Sequence, residues 1–145
     1  MRQRYAFFCG RHHRLFGRDD LDLEDLKGEH FVTFSSDQIG GSLSPLTIFR
    51  DQQGFSGHIV AASSSLEEIR RLVYCGYGIG CLPQHIVRDD LARDRLWRLP
   101  PQDGIADVEI QLLWNREQKL SLAEATFLDE LRRYLEEVPL EQRLG

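Results

Sequence analysis

Ser63–Pro83 reads Ser-Ser-Ser-Leu-Glu-Glu-Ile-Arg-Arg-Leu-Val-Tyr-Cys-Gly-Tyr-Gly-Ile-Gly-Cys-Leu-Pro. It opens with a helix start. Ser65 followed by Glu68 is a capping box, and Ser64 with Glu67 offers the same pairing one residue earlier. Leu66, Ile69, Leu72 and Val73 then recur at helical spacing and make one apolar stripe. Gly76 stops the helix, because glycine takes the left-handed cap conformation without steric cost. Ile79–Leu82 follows as a short buried strand, ended by Pro83. Gly76, Gly78 and Gly80 superficially suggest a dinucleotide fingerprint. That motif follows a strand and opens a helix, with different spacing of its third glycine. Here the order is reversed, so the glycines read as turn geometry.

The flanks extend the same alternation. Phe31–Phe34 is a strand, and the loop Ser35-Ser-Asp-Gln-Ile-Gly-Gly41 leads to a helix. Ser44 is the candidate cap of that helix, Pro45 its first position and Gly54 its stop. His58–Ala61 is the next strand and feeds the central helix. Strand, helix, strand, helix, strand implies parallel strands joined by right-handed crossovers. Upstream, Tyr5–Cys9 is an apolar strand ended by Gly10, and Asp22–Leu26 is a short helix capped by Asp22 and stopped at Gly28. Downstream, Gln84–Arg93 reads as a helix, Leu96–Leu99 as a strand, and Pro100 to Asp107 as a connector. Val108–Trp114 alternates as a strand, and Leu122–Val138 is the longest amphipathic helix. Its stripe is Leu122, Ala125, Leu128, Leu131, Tyr134, Leu135 and Val138, with Phe127 beside it.

Composition narrows the function. At 145 residues the chain is long enough for one domain with a core. A net charge of −5 and no large basic cluster argue against a DNA-binding module. No apolar run reaches membrane-spanning length, and no charged-then-apolar leader opens the chain. Cys9, Cys75 and Cys81 lie in apolar segments and read as buried free thiols in a reducing compartment. His12 and His13, adjacent in an extended segment, would point apart and chelate poorly, so no metal is expected. His12, His13, Ser35 and Asp37 lack the Gly-x-Ser-x-Gly elbow of a hydrolase, so no catalytic residue is assigned.

The central stretch resembles the effector-binding domain of LysR-type transcriptional regulators. There a helix carrying Ile and Leu-Val runs into Gly-x-Gly-Ile-x-x-Leu-Pro. Ile69, Leu72, Val73, Gly76, Gly78, Ile79, Leu82 and Pro83 match. Leu23, Leu26 and Gly28 match a Leu-x-x-Leu-x-Gly turn. His13 and Leu15 match a His-Pro-Leu step in which Arg14 replaces the proline. The likeness runs from about Tyr5 to Tyr134.

The resemblance implies an α/β, periplasmic-binding-protein-like fold, with one parallel-sheet subdomain, two crossing strands and a carboxy-terminal helix. Residues 1–9 would be the first crossing strand, 10–99 the second effector-binding subdomain, and 100–145 the return strand and closing helix of the first subdomain. The strand Tyr5–Cys9 begins with no preceding helix to cover a sheet, so the chain reads as a carboxy-terminal fragment. The resemblance also implies a small-molecule effector held by Ser35, Ser36, Asp37, Gln38 and Ile39, and Ser63, just before the central helix, lies at the same kind of position. Loop residues at the carboxyl end of a parallel strand offer N–H groups and hydroxyls to a polar ligand. The plainer alternative is that these serines are helix caps and turn residues. Asp37 would repel a carboxylate effector unless it points outward. No cofactor is implied. The expected partners are the effector and a second copy in a homodimer. DNA would be reached only through a helix-turn-helix absent from this chain, in the cytoplasm and without membrane contact. A periplasmic-type solute-binding fragment and a small α/β enzyme are the alternatives.

Overall fold

Phe7 and Phe8 are adjacent in a strand, so they point to opposite faces of a sheet and each nucleates one side of the core. In the computed structural model, which describes residues 2–35, 45–115, 117 and 119–139, both are fully buried. They belong to β1 (Arg2–Gly10). The remaining elements are β2 (Phe31–Phe34), α1 (Pro45–Gln53), β3 (Ile59–Ser63), α2 (Leu66–Tyr74), β4 (Ile79–Pro83), α3 (Arg88–Ala92), β5 (Leu96–Arg98), β6 (Ala106–Glu109) and α4 (Leu122–Glu137). Short 3-10 turns occupy Glu24–Leu26 and Gln84–Val87.

The sheet order is β3-β2-β4-β1-β5, with β6 also on β1. β2 pairs in parallel with β3 and with β4, through the crossovers α1 and α2. β1 runs antiparallel to β4, β5 and β6. One face buries Ala6, Phe8, Val32, Ile69, Val73, Leu82 and Leu96 under α2 and α3. The other buries Phe7, Cys9, Phe31, Leu46, Ile79 and Leu99. There Phe7, Phe31, Phe49 and Phe55 stack with ring centroids 5.6–5.8 Å apart, in tilted and edge-on pairs.

The central stretch behaves as its residues dictate. Gly76 has φ +83°, its N–H donates to Val73 O (2.9 Å), and the Tyr77 N–H donates to Leu72 O (3.2 Å). Those two bonds close α2 in a Schellman turn. Gly80 lets α2 sit on β4, since a Cβ there would lie 2.4 Å from Val73 Cγ2. Asp22 caps the 3-10 turn, accepting from the N–H groups of Glu24 (2.8 Å) and Asp25 (3.2 Å).

Several boundaries differ from the sequence reading. The segment Gln84–Arg93 is a 3-10 turn followed by a short helix. β3 extends to Ser63, so that serine closes a strand. The strand expected at Val108–Trp114 is β6, ending at Glu109. Glu109 lies opposite Arg2, the first described residue of β1. Beyond it, Ile110, Leu112, Leu113 and Trp114 are exposed. Cys75 is exposed on the last turn of α2, whereas Cys9 is buried and Cys81 half-buried. The proposed Ser44 cap lies outside the described residues. The box Ser121–Glu124, with Ser-x-x-Glu spacing, starts α4 reciprocally.

Candidate ligand site at the carboxyl edge of the sheet

Phe34 at the end of β2 lies opposite Ser63 at the end of β3. Ser35 follows Phe34 directly and is half-buried. β2 also pairs with β4, which ends at Pro83, so Gln84 leaves the same edge of the sheet. Three chain segments therefore emerge side by side at the carboxyl ends of parallel strands, where α/β sheets take ligands. The expected site residues Ser36, Asp37, Gln38 and Ile39 lie outside the described residues. Ser35 and Ser63 are brought to one edge.

Ser63 has a structural duty there. Its Oγ accepts from the Ser65 N–H (3.0 Å) and its hydroxyl donates to the Glu68 carboxylate. Ser65 Oγ in turn accepts from the Glu68 N–H (3.4 Å). The capping box thus closes through a relay, because Glu68 reaches Ser63 instead of the Ser65 backbone. The hydroxyl of Ser63 still has an unused lone pair for a ligand donor. Gln84 and His85 are polar residues at this edge that the sequence reading passed over. Both are half-buried, and Gln84 Nε2 and His85 Nδ1 are buried without a hydrogen-bond partner. Their signal was positional: they follow Leu-Pro at a parallel strand end, as Ser35 follows Phe34.

A second polar group sits at the opposite, amino edge. His13 Nδ1 accepts from the Leu15 N–H (3.3 Å), and Nε2 lies 3.3 Å from Glu29 Oε2. Arg14 also pairs with Glu29. Burial pushes His13 below its ordinary value, with Glu29 opposing. Both ring nitrogens are spent, so this histidine has no position left for a metal. Burial, then the Glu29 charge, pushes the Cys9 thiol up to about 12. Cys9, His13 and Glu29 have the residue types of a nucleophilic triad but not its chemistry, since a fully buried, protonated thiol is inert. Among the described residues, no helix is long and apolar enough to cross a membrane.

Residues 1–136 match the family model of the LysR substrate binding domain. The chain belongs to that family. Among curated relatives, the uncharacterized HTH-type transcriptional regulator YwbI of Bacillus subtilis is 28% identical over 123 residues. That match covers 85% of this chain and 40% of YwbI, so the chain spans well under half of that relative. The effector-binding domain of QuiR, solved in complex with shikimate, superposes with a TM-score of 0.74 at 22% identity, covering 96% of this chain and 64% of that one. The CcmR regulatory domain of Synechocystis PCC6803, solved in complex with 2-PG, gives 0.71 at 20% identity, covering 96% and 66%. At such identities these likenesses establish the fold of this LysR-type domain: an α/β, periplasmic-binding-protein-like sheet of parallel and antiparallel strands with a closing helix.

Proposed function

We propose that this LysR-type domain senses a small polar effector for a bacterial transcription regulator. The observation that carries the reading is the convergence of Ser35, Ser63 and Gln84 at one sheet edge, in a chain of this family. Solved relatives that hold shikimate or 2-PG support it. Residues 10–99 form the second effector-binding subdomain and one wall of the cleft. β1 and β6 are its crossing strands, and α4 belongs to the first subdomain. Ser35, Ser36, Asp37, Gln38 and Ile39 supply the loop contacts, and Ser63 the contact from the neighbouring strand. The domain works in the cytoplasm, catalyses nothing, and pairs as a homodimer. DNA is read by a helix-turn-helix outside residues 1–145, consistent with a net charge of −5 here.

Thermal-shift screening against small carboxylates, including shikimate and 2-PG, tests the reading. A ligand that binds only the folded state raises the midpoint, and the stabilisation grows with the logarithm of its concentration over Kd. Ser35→Ala or Gln38→Ala is expected to abolish the shift with the unliganded midpoint unchanged. A shift that survives both substitutions would place the ligand elsewhere.

A further inference from the structure

We propose that a second, anion-binding site lies between α2 and α3, at the edge of the sheet opposite the carboxyl-edge cleft. It takes a small molecule bearing a phosphate or carboxylate group. The site is a cavity of about 200 Å³ lined by Arg70, Arg71, Tyr74, Asp90 and Arg95. α2 starts at the carboxyl edge, after Ser63, and runs back to the amino edge, where β4 begins. Arg95 immediately precedes β5, whose Leu96 pairs with Gly10 at that same amino edge. The pocket is therefore separated from Ser35 and Ser63 by the length of the sheet, and its occupancy does not depend on the effector reading.

The donors divide into committed and uncommitted ones. Asp90 is 3% exposed, and both its oxygens are taken, one by Arg70 and one by Arg95 Nη2 at 2.7 Å. Arg70 is further fixed by Glu67, through Nε (2.9 Å) and Nη2 (2.7 Å). Arg70 and Asp90 thus build the floor, and neither is offered to a ligand. Arg71 touches Glu67 only through Nε, at 3.2 Å, which leaves its two terminal nitrogens open. Arg95 Nε is buried with no hydrogen-bond partner. The Tyr74 side chain, half in solvent, completes the rim. Three guanidinium groups face two carboxylates, Glu67 and Asp90, so the cluster carries a net positive charge on an acidic chain. Planar forks with unused N–H groups match the oxygens of phosphate or carboxylate. An anion seated here binds the open terminal nitrogens of Arg71 and neutralises the surplus charge.

Titration of the 145-residue chain with inorganic phosphate, and separately with acetate, tests the site by NMR at ionic strength held constant with chloride. Saturable binding is expected, with shifts at Arg71, Tyr74 and Arg95. Arg71→Gln should weaken it about tenfold, the loss of one charge-assisted bond, with Arg71→Lys in between. Arg71 is largely exposed and its substitution leaves the fold intact. Tighter phosphate than acetate identifies phosphoryl ligands, and the reverse identifies carboxylates. Ser35→Ala should not alter either titration. The site is overturned by linear shifts matching the chloride control, by equal affinity in Arg71→Gln, or by saturable shifts mapping to Ser35 and Ser63.

Discussion

At the scale of single residues, burial decides which reactive groups keep their chemistry. Cys9 and Cys75 share a side chain but not an environment. Cys9 is sealed beneath the β1 face and its thiol stays protonated to about 12, while Cys75 is exposed on the last turn of α2. A maleimide should label Cys75 within minutes and Cys9 only after denaturant is added. Labelling of Cys9 in the folded chain, read by peptide mass spectrometry, would contradict that burial. His13 gives a pH prediction. Its folded value lies below the ordinary 6.5 because burial disfavours the imidazolium. Between those two values the unfolded chain binds a proton that the folded chain does not. The stabilisation is therefore complete above about 6.5 and is lost as pH falls toward the folded value. Urea midpoints measured from about pH 7 to 5 should fall more steeply for the wild type than for His13→Gln. Equal slopes would mean that His13 is not the titrating group.

At the scale of elements, the stretch Ser63–Pro83 was legible because every local signal agreed. Cap, stripe, glycine stop and short apolar strand ended by proline all pointed to one helix–turn–strand unit. Gly76→Ala tests the stop. Its φ of +83° suits glycine, and a Cβ would lie 2.9 Å from His12 Cβ. A loss of more than about 1 kcal/mol in chemical denaturation is expected. Less than that would mean the turn relaxes freely. That β2, β3 and β4 run parallel was likewise legible from the alternation of strands and helices, whereas their order β3-β2-β4 was not. What sequence pattern missed had a tertiary cause. Alternation in Val108–Trp114 marks a segment able to form a strand, but the pairing with β1 is described only as far as Arg2 opposite Glu109. Cys75 looked apolar in context, yet it sits exposed just past the end of α2. At the candidate site, Ser35 and Ser63 were found from their place after strands. Gln84 and His85 were missed because Pro83 reads as a terminator, and only the sheet shows that β4 ends beside β2. The Ser63 relay to Glu68 could not be read at all, since it depends on side-chain reach rather than spacing.

At the scale of the whole molecule, α4 poses the remaining energetic question. Of its stripe only Leu128 is buried, and Ala125, Leu131 and Val138 are half-buried. Leu122 is 86% exposed, Phe127 59%, and Leu113 in the preceding segment 85%. Burying a leucine contributes about 1.5–3 kcal/mol, so several together are a strong drive to association. Scattered exposed apolar residues are ordinary, but Leu122, Phe127, Tyr134 and Leu135 exposed along one helix make it a candidate interface. A second copy can cover it isologously, helix against helix about a two-fold axis. Asp129 pairs with Arg132 and Glu130 with Arg133 within the helix, so those four charges are compensated before a partner arrives. Sedimentation velocity over a concentration series should show a reversible monomer–dimer equilibrium. The sharpest variant is Leu122→Glu with Phe127→Glu, because both positions are exposed and their charge leaves the monomer fold intact. Leu128→Glu is a poorer probe, since that side chain is buried and its loss would unseat the helix itself. The double variant should sediment as a monomer at every concentration with an unchanged circular dichroism spectrum. A wild-type chain that is strictly monomeric, or a double variant that still dimerises, would remove α4 from the interface.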